Sequence, residues 1–222
     1  MSHITQIKTQ YRDLVSLHYA IESLGFHLKV GEDSNLCKYW GRQYQPADVV
    51  YQQNTPTSNQ NFEIGFSLQE DGSYALIADE YALSNMHYKC LDKPTLDFEY
   101  SFQVAKKTLT AHGFEVSKRV CDKPTVNKED HTKVDVIKDA CKYIEGYRFI
   151  DGHENRVRVY TDDKGNIGVE TEGFSGQKCY DVTSELESKL GKSISNIPTA
   201  ESFEREPEQK ILSDFDTFGL CG

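Results

Sequence analysis

The chain has 222 residues, of which 37% are hydrophobic and 27% charged, and it contains 13 tyrosines and 11 phenylalanines. This apolar content is enough for a folded core and excludes a disordered chain. The net charge of −10 and the lack of a basic run argue against nucleic-acid and anionic-membrane partners, because like charges repel. No apolar stretch reaches the ~20 residues that span a bilayer, and residues 1–10 are unlike a signal peptide, so a cytoplasmic protein is expected.

The first predicted elements are a strand, a helix and a second strand. Residues 4–9 alternate apolar and polar side chains, as strands do. Asp13 is a suitable N-cap for a helix that Gly25 ends, and residues 26–30 are predicted to form a short strand. The apolar positions expected to keep helical spacing are Leu14, Leu17, Tyr19 or Ile21, and Leu24.

A hairpin, a helix and a closing strand follow. Asp71-Gly72 separates two apolar-rich runs, which predicts a tight turn between strands at 62–68 and 74–78. Residues 96–111 have a helical stripe of apolar side chains, and 114–120 are predicted to form a strand. This order predicts an α+β fold in which residues 1–121 form a ferredoxin-like β-α-β-β-α-β sandwich.

A second, smaller module is predicted beyond a charged boundary at residues 122–133. Spacing of apolar residues predicts a short helix from Val134 that stops at Gly146, then a hairpin at 156–171 and a helix at 182–190. The sequence therefore predicts a helix–hairpin–helix module over residues 134–200 and an acidic tail over 201–222. We expect protease to separate the two modules at the boundary.

The cysteines and histidines do not form a metal-binding motif. The six cysteines are scattered, without a C-x-x-C pair, and the His87–Cys90 pair supplies only two ligands. The aspartates between residues 162 and 166 lack the spacing of a calcium loop and are predicted to form a turn. We therefore expect no metal, no cofactor and free thiols.

Cys179 is the one candidate for chemistry. It follows Gly173 and Gly176 and opens a predicted helix, where the helix dipole lowers the pKa of a thiol. A thiolate there would suit a redox role, but no acid or histidine lies near it in sequence to act as a base. The simpler alternative, which we favour, is a thiol packed in the core.

Two further groups of residues admit a structural and a functional interpretation. The aromatic stretch from Tyr39 to Tyr44, with Tyr51, suits either a stacking surface or, preferably, the core. The acids near predicted strand ends would suit paired-carboxylate catalysis only if the fold brought them together. They are Asp79, Glu80, Glu170 and Glu172.

The C-terminal tail is the candidate partner-binding segment. Residues 201–216 contain six acids against Arg205 and Lys210. Phe215, Phe218 and Leu220 lie within or just after this acidic stretch at near-helical intervals. Such a segment either docks into the groove of a protein partner or folds back onto its own sheet.

Separated motifs in the first half of the chain resemble those of a known family. They are Met1-Ser2-His3, the 4–9 strand, Arg12-Asp13-Leu14, Leu24-Gly25-Phe26, Glu63-Ile64-Gly65-Phe66, Asp71-Gly72-Ser73-Tyr74, Ala78-Asp79 and His112-Gly113-Phe114. Over residues 1–120 these motifs resemble the plastid and cyanobacterial family called hypothetical chloroplast reading frame thirty-five. The resemblance implies a cytosolic or stromal protein without an assigned activity or catalytic residues.

The second module resembles another small uncharacterised family. Over residues 156–203 the match rests on a strand–turn–strand, a G-x-x-G-x-x-C motif and a helix that ends in Leu190-Gly191. The two resemblances together imply a fusion. The sequence thus predicts a non-enzymatic partner-binding or adaptor protein, with a redox-linked protein acting through Cys179 as the alternative.

Overall fold

The computed structural model describes residues 3–39, 43–53, 62–78, 93–120, 142–150, 152–162, 164–174 and 178–198. These residues form an α+β fold with antiparallel strand pairing and three helices. The helices are α1 (Leu14–Ser23), α2 (Lys93–Ala111) and α3 (Lys178–Leu190). The strands are β1 (His3–Thr9), β2 (His27–Leu28), β3 (Leu36–Tyr39), β4 (Gln43–Pro46), β5 (Val49–Gln53), β6 (Phe62–Leu68), β7 (Tyr74–Ile77), β8 (Glu115–Val120), β9 (Lys142–Ile150), β10 (His153–Thr161), β11 (Asn166–Glu172) and β12 (Gly191–Pro198).

Three local predictions are confirmed. Asp13 caps α1, because its side chain accepts a hydrogen bond from the Ser16 amide. Gly72 has a φ of +78° in the turn between β6 and β7, a conformation that glycine adopts without strain. The turn after β10 is held by Asp162, whose Oδ1 accepts from the amides of Lys164 and Asn166 at 2.9 and 2.8 Å.

The strands belong to separate sheets. The larger sheet has the order β12-β1-β11-β10-β9-β8, the second has the order β2-β5-β6-β7, and β3 pairs with β4. A ferredoxin-like sandwich would combine β1, the β6–β7 hairpin and β8 in one sheet, so that prediction for residues 1–121 is wrong. The reason is that β1 pairs with β11 and β12, and β8 pairs with β9, all from the second half of the chain.

In the second module the predicted hairpin and last helix are present as β10–β11 and α3, but the predicted first helix is wrong where the structure describes it. Residues 142–150 form strand β9, which pairs on both sides with β8 and β10. Burial alternates along this strand, with Ile144 and Gly146 inside, and Gly146 lies against Leu109 of α2. In this segment, pairing with two neighbouring strands therefore outweighs the helical spacing of apolar residues. The earlier part of the predicted helix, residues 134–141, lies outside the described ranges.

One main hydrophobic core joins both larger sheets and all three helices. α2 packs against α1, α3 and strands β8, β9 and β10, while α3 covers β12, β1 and β11. A smaller cluster of Cys37, Ala47 and Val50 lies beneath the β3–β4 hairpin. The six-stranded sheet contains strands from both sides of the predicted boundary at residues 122–133. The division into domains at 1–121, 134–200 and 201–222 stays a prediction.

None of the helices in the described part of the chain has the length and apolar composition needed to cross a bilayer.

Candidate functional site

An open groove of about 450 Å³ lies between α1 and α2. Val15, Ser16 and Tyr19 of α1 form one wall, and residues of α2 from Gln103 to Ala111 form the other. The side chains of Val15 and Tyr19 are 52% and 54% exposed. The exposed apolar side chains lie on the α1 wall, while the α2 wall has Ala111 beside polar and basic residues. An exposed apolar helix face beside a groove is typical of a surface that binds another chain segment. We call this feature the α1–α2 groove.

α1 has apolar residues on two faces, and only one of those faces is buried in the core. Leu17 and Ile21 are fully buried, as expected from their spacing. Of the alternatives Tyr19 and Ile21 in the predicted stripe, Ile21 is the buried one, and Leu14 of the same stripe is 38% exposed. Val15 lies four residues before Tyr19 and so on the same exposed face of the helix.

The charge of the groove differs from that of the whole chain. Of the eight described residues that line it, two are lysines and none is acidic. Lys107 Nζ contacts Asp13 Oδ2 at 2.8 Å. Burial alone would raise the pKa of Asp13, but hydrogen bonds from Lys107 and the Ser16 amide lower it below its ordinary value. Within the described ranges Lys106 has no carboxylate partner, and its Nζ lies 6.0 Å from the centre of the Phe102 ring.

Tyr100 fixes the two walls of the groove relative to each other. Its buried hydroxyl accepts hydrogen bonds from the amides of Arg12 and Asp13 at 2.9 and 3.0 Å and donates to the carbonyl of Lys189 at 2.6 Å. Burial raises the pKa of Tyr100 to about 12. One donor and two acceptor positions are the full capacity of a hydroxyl, so the start of α1 is held on α2 before any ligand binds.

A second buried polar cluster supports the fold rather than the groove. The Tyr11 hydroxyl donates to Asp97 Oδ1 at 2.7 Å, and Lys93 forms an ion pair with Asp97 Oδ2. Burial raises the pKa of Asp97, although Lys93 and Tyr11 oppose that shift. The polar atoms of this cluster are bonded to one another, and none of its residues lines the α1–α2 groove.

The acids predicted at strand ends are neutralised by an arginine where they are described. Arg158 lies 3.6 Å from Glu170, 3.0 Å from Glu172 and 3.3 Å from Glu145, measured between guanidinium nitrogens and carboxylate oxygens. Tyr160 also donates to Glu170 at 2.9 Å. This arrangement is an ion-pair network on the sheet rather than the acid–base pair that catalysis would need. Asp79 and Glu80 lie outside the described residues.

Cys179 lies in the first turn of α3, as the sequence predicts. Its side chain and residues 175–177 before it lie outside what the structure describes, so a reactive thiolate stays a prediction. Cys37 is different, because it is a free and fully buried thiol whose pKa burial raises to about 12. A thiol with such a pKa is inert at neutral pH.

Other predicted residues are divided between the core and the undescribed part of the chain. Tyr51 is 1% exposed, which confirms its place in the core, while Tyr44 is 54% exposed. Across the described ranges no group of three or more histidines, cysteines or acids is placed to hold a metal ion. Among the residues that the sequence singled out, several more lie outside the described ranges: Trp40, His87, Cys90, Phe215, Phe218 and Leu220.

Two family models match separate stretches of the chain. Residues 20–126 are similar to a family described as a protein of unknown function, DUF1257. Residues 156–203 are similar to a second one, DUF2997. No curated protein and no solved structure matches the chain. The chain is therefore similar to two families of unknown function in separate stretches, which is consistent with a fusion of uncharacterised families.

Proposed function

We propose that this protein is a non-enzymatic partner-binding or adaptor protein whose docking surface is the α1–α2 groove. The observation that supports the proposal is the pair of exposed apolar side chains, Val15 and Tyr19, on a helix that Tyr100 holds in a fixed position. Isolated exposed apolar residues are ordinary, but two on one face beside a groove of this size provide a binding surface.

The chemistry of the groove indicates what kind of segment it binds. Val15 and Tyr19 on its α1 wall suit bulky aliphatic or aromatic side chains at helical spacing. Lys106 and Lys107 at the α2 wall favour a segment with acidic residues around those anchors, because complementary charge steers association. The partner class is therefore an acidic amphipathic helix.

A binding measurement with matched variants tests this proposal. The probe is a fluorescent acidic peptide about four helical turns long with phenylalanine every third or fourth residue, and a scrambled peptide of the same composition is its control. We expect anisotropy to show micromolar binding of the probe and at least tenfold weaker binding of the scrambled peptide.

The matched variants are Val15→Asp and Val30→Asp. Val30 is 78% exposed and lies outside the groove, so both substitutions place a charge at an exposed valine. Val15 lies in the first turn of α1, where a negative charge interacts favourably with the helix dipole. The Val15→Asp substitution should therefore leave α1 folded. Both variants are made in a Phe215→Ala/Phe218→Ala background, so that the chain's own C-terminal segment cannot compete for the groove. There Val15→Asp should weaken probe binding by about tenfold, the loss of about one buried valine, and Val30→Asp should leave it unchanged. Equal binding by both variants would contradict the proposal.

The alternative function is redox chemistry at Cys179. Its support is the position of Cys179 at the start of α3, where a thiolate is favoured. Titration of thiol alkylation in the wild type and in Cys179→Ser tests it: a fast phase lost in the variant, with a pKa well below about 8.5, would favour a redox protein.

The plastid-type family assignment and a cytoplasmic location remain proposals from the sequence.

A further inference from the structure

We propose that the acidic C-terminal tail of this same chain, residues 207–222, occupies the α1–α2 groove and regulates access to it. This inference rests on the proposed function of the groove and identifies its occupant. It commits to binding within one molecule, so that an external partner must compete with the tail.

The chemistry of the tail matches that of the groove. Ile211, Phe215 and Phe218 have the i, i+4, i+7 spacing of one helical face. Their bulky apolar side chains would pack against Val15 and Tyr19 on the α1 wall of the groove. Three such anchors on one face suit a helix-in-groove contact.

The charges are also complementary. Asp214 and Asp216 flank Phe215 in the tail. Lys106 and Lys107 line the groove, and among the described residues Lys106 has no carboxylate partner. The chain has a net charge of −10, so most of its surface repels an acidic segment. The groove is lined by two lysines and no acids, so an acidic segment meets less repulsion there.

The tail is long enough to reach the groove. The described chain ends at Pro198 on β12, beside His3 of β1. Phe215 follows 17 residues later, which corresponds to about 55–60 Å of extended chain. A compact chain of this length has a radius of gyration of about 17 Å and so a diameter of about 44 Å, which is less than the extended length of the tail. The tether gives the tail an effective concentration of about 1 mM at the groove, which an untethered partner does not have.

Competition in the full-length protein tests the inference. The probe peptide described above is titrated into the wild type and into the Phe215→Ala/Phe218→Ala variant. If the tail occupies the groove with an intrinsic Kd of about 0.1 mM, the variant binds the probe about tenfold more tightly than the wild type, because competition at an effective concentration of about 1 mM is removed. Equal and measurable binding by both proteins would overturn occupancy by the tail while leaving the proposed function intact. Binding by neither protein would overturn the proposed function, and this inference with it.

Photo-crosslinking identifies the occupant directly and does not depend on the stability of the tail variant. Benzoylphenylalanine replaces Tyr19 in one protein and Tyr44 in its control, since both tyrosines are 54% exposed and Tyr44 lies on β4. We expect illumination of the Tyr19 protein to join position 19 to a peptide from 207–222 within a monomer, as read by gel and mass spectrometry. The control should give no such product. A crosslinked dimer, or a product with no tail peptide, would overturn the inference.

Discussion

The two larger sheets of this protein are built in opposite ways. The four-stranded sheet takes β2, β5, β6 and β7 from one continuous stretch, residues 27–77. The six-stranded sheet places β1, from the first ten residues, between β11 and β12, so that Ile7 pairs with Ile167 on one side and Ser193 on the other. The strands of the first sheet pair within one stretch of about 50 residues, whereas β1 of the second sheet pairs with strands more than 150 residues away.

This difference explains how two family segments form one structure. The match over residues 156–203 contains β11, α3 and β12, but the strand between β11 and β12 is β1, which neither family match includes. The match over residues 20–126 ends beyond β8, which extends the same sheet through β9. The two matched segments therefore contribute strands to one sheet, and a ladder of hydrogen bonds through β9 connects β8 to β10 and β11.

The largest expected effect follows from that shared sheet. A chain cut at an engineered protease site between Asn127 and Lys128 should stay assembled, because β1 and β8 remain paired with β11, β12 and β9. Size-exclusion chromatography should give one peak that contains both fragments, and the same sample in urea should give two. Separate elution under native conditions would mean that the halves are independent modules, as the sequence first predicted.

The second prediction concerns the strand on which that assembly depends. Ile7 is fully buried, so Ile7→Asp places an unpaired charge in the core and should cost about 4 kcal/mol of the free energy of unfolding. Val30→Asp, at a 78% exposed position, should change it by less than about 0.5 kcal/mol. Urea unfolding followed by circular dichroism measures both.

Because one core joins the two sheets, the Ile7→Asp variant should also lose amide protection in β6 of the four-stranded sheet. Protection of β6 that survives in a variant with a disrupted β1 would show that the sheets fold independently.

The parts of the fold that sequence predicts are those whose signals are local. The Asp13 cap, the Gly72 turn and the stripe of α2 each depend on residues within a few positions of one another. The position of β1 depends on β11 and β12, and no local pattern distinguishes it from an edge strand of a ferredoxin-like sheet. β9 was mistaken for part of a helix because Val134, Ile137, Cys141 and Ile144 have helical spacing, and only its two neighbouring strands determine its structure.

The candidate site was missed for a related reason. The sequence drew attention to Cys179 and to Phe215, Phe218 and Leu220, which carry recognisable chemistry. Val15 and Tyr19 look like ordinary core residues until the fold shows which face of α1 is covered. Exposure of an apolar face is a tertiary property, so the groove could not be found from sequence alone.

The third prediction compares one glycine in each sheet. A Cβ at Gly65 of β6 would lie 2.8 Å from the Cβ of Ala47 and 2.9 Å from that of Cys37. A Cβ at Gly146 of β9 would lie 2.8 Å from Leu109 Cδ1. This atom is the end of a flexible side chain, which can relieve the clash by changing its rotamer. Gly65→Ala should cost about 2–3 kcal/mol and Gly146→Ala about 1 kcal/mol. Thermal unfolding of the two variants in parallel checks the order, and a larger loss for Gly146→Ala would contradict it.

The smallest expected effect concerns Asp97, which lies where the two sheets meet. Tyr11 follows β1, forms a bridge with Tyr74 of β7 and donates a hydrogen bond to Asp97. Burial raises the pKa of Asp97 despite the opposing effects of Lys93 and Tyr11, so the folded protein binds this proton at a higher pH than the unfolded chain does. The resulting stabilisation is absent above the folded pKa, appears as the pH falls through it, and is complete below the unfolded value of about 3.9.

Asp97→Asn retains the shape of the side chain and removes the titration. Urea unfolding of both proteins between about pH 7 and about pH 4.5 should show the wild type gaining stability relative to the variant as the pH falls, because other carboxylates titrate in both and cancel. A difference that stays constant, or changes in the opposite direction, would mean that the ion pair with Lys93 outweighs burial. Since Tyr11 connects Asp97 to both sheets, the ratio of the amide exchange rate in the variant to that in the wild type should rise as the pH falls, for β6 and for β11 alike. A rise in β11 alone would place the effect of Asp97 in the six-stranded sheet and show that the two sheets are less closely coupled than their shared core indicates.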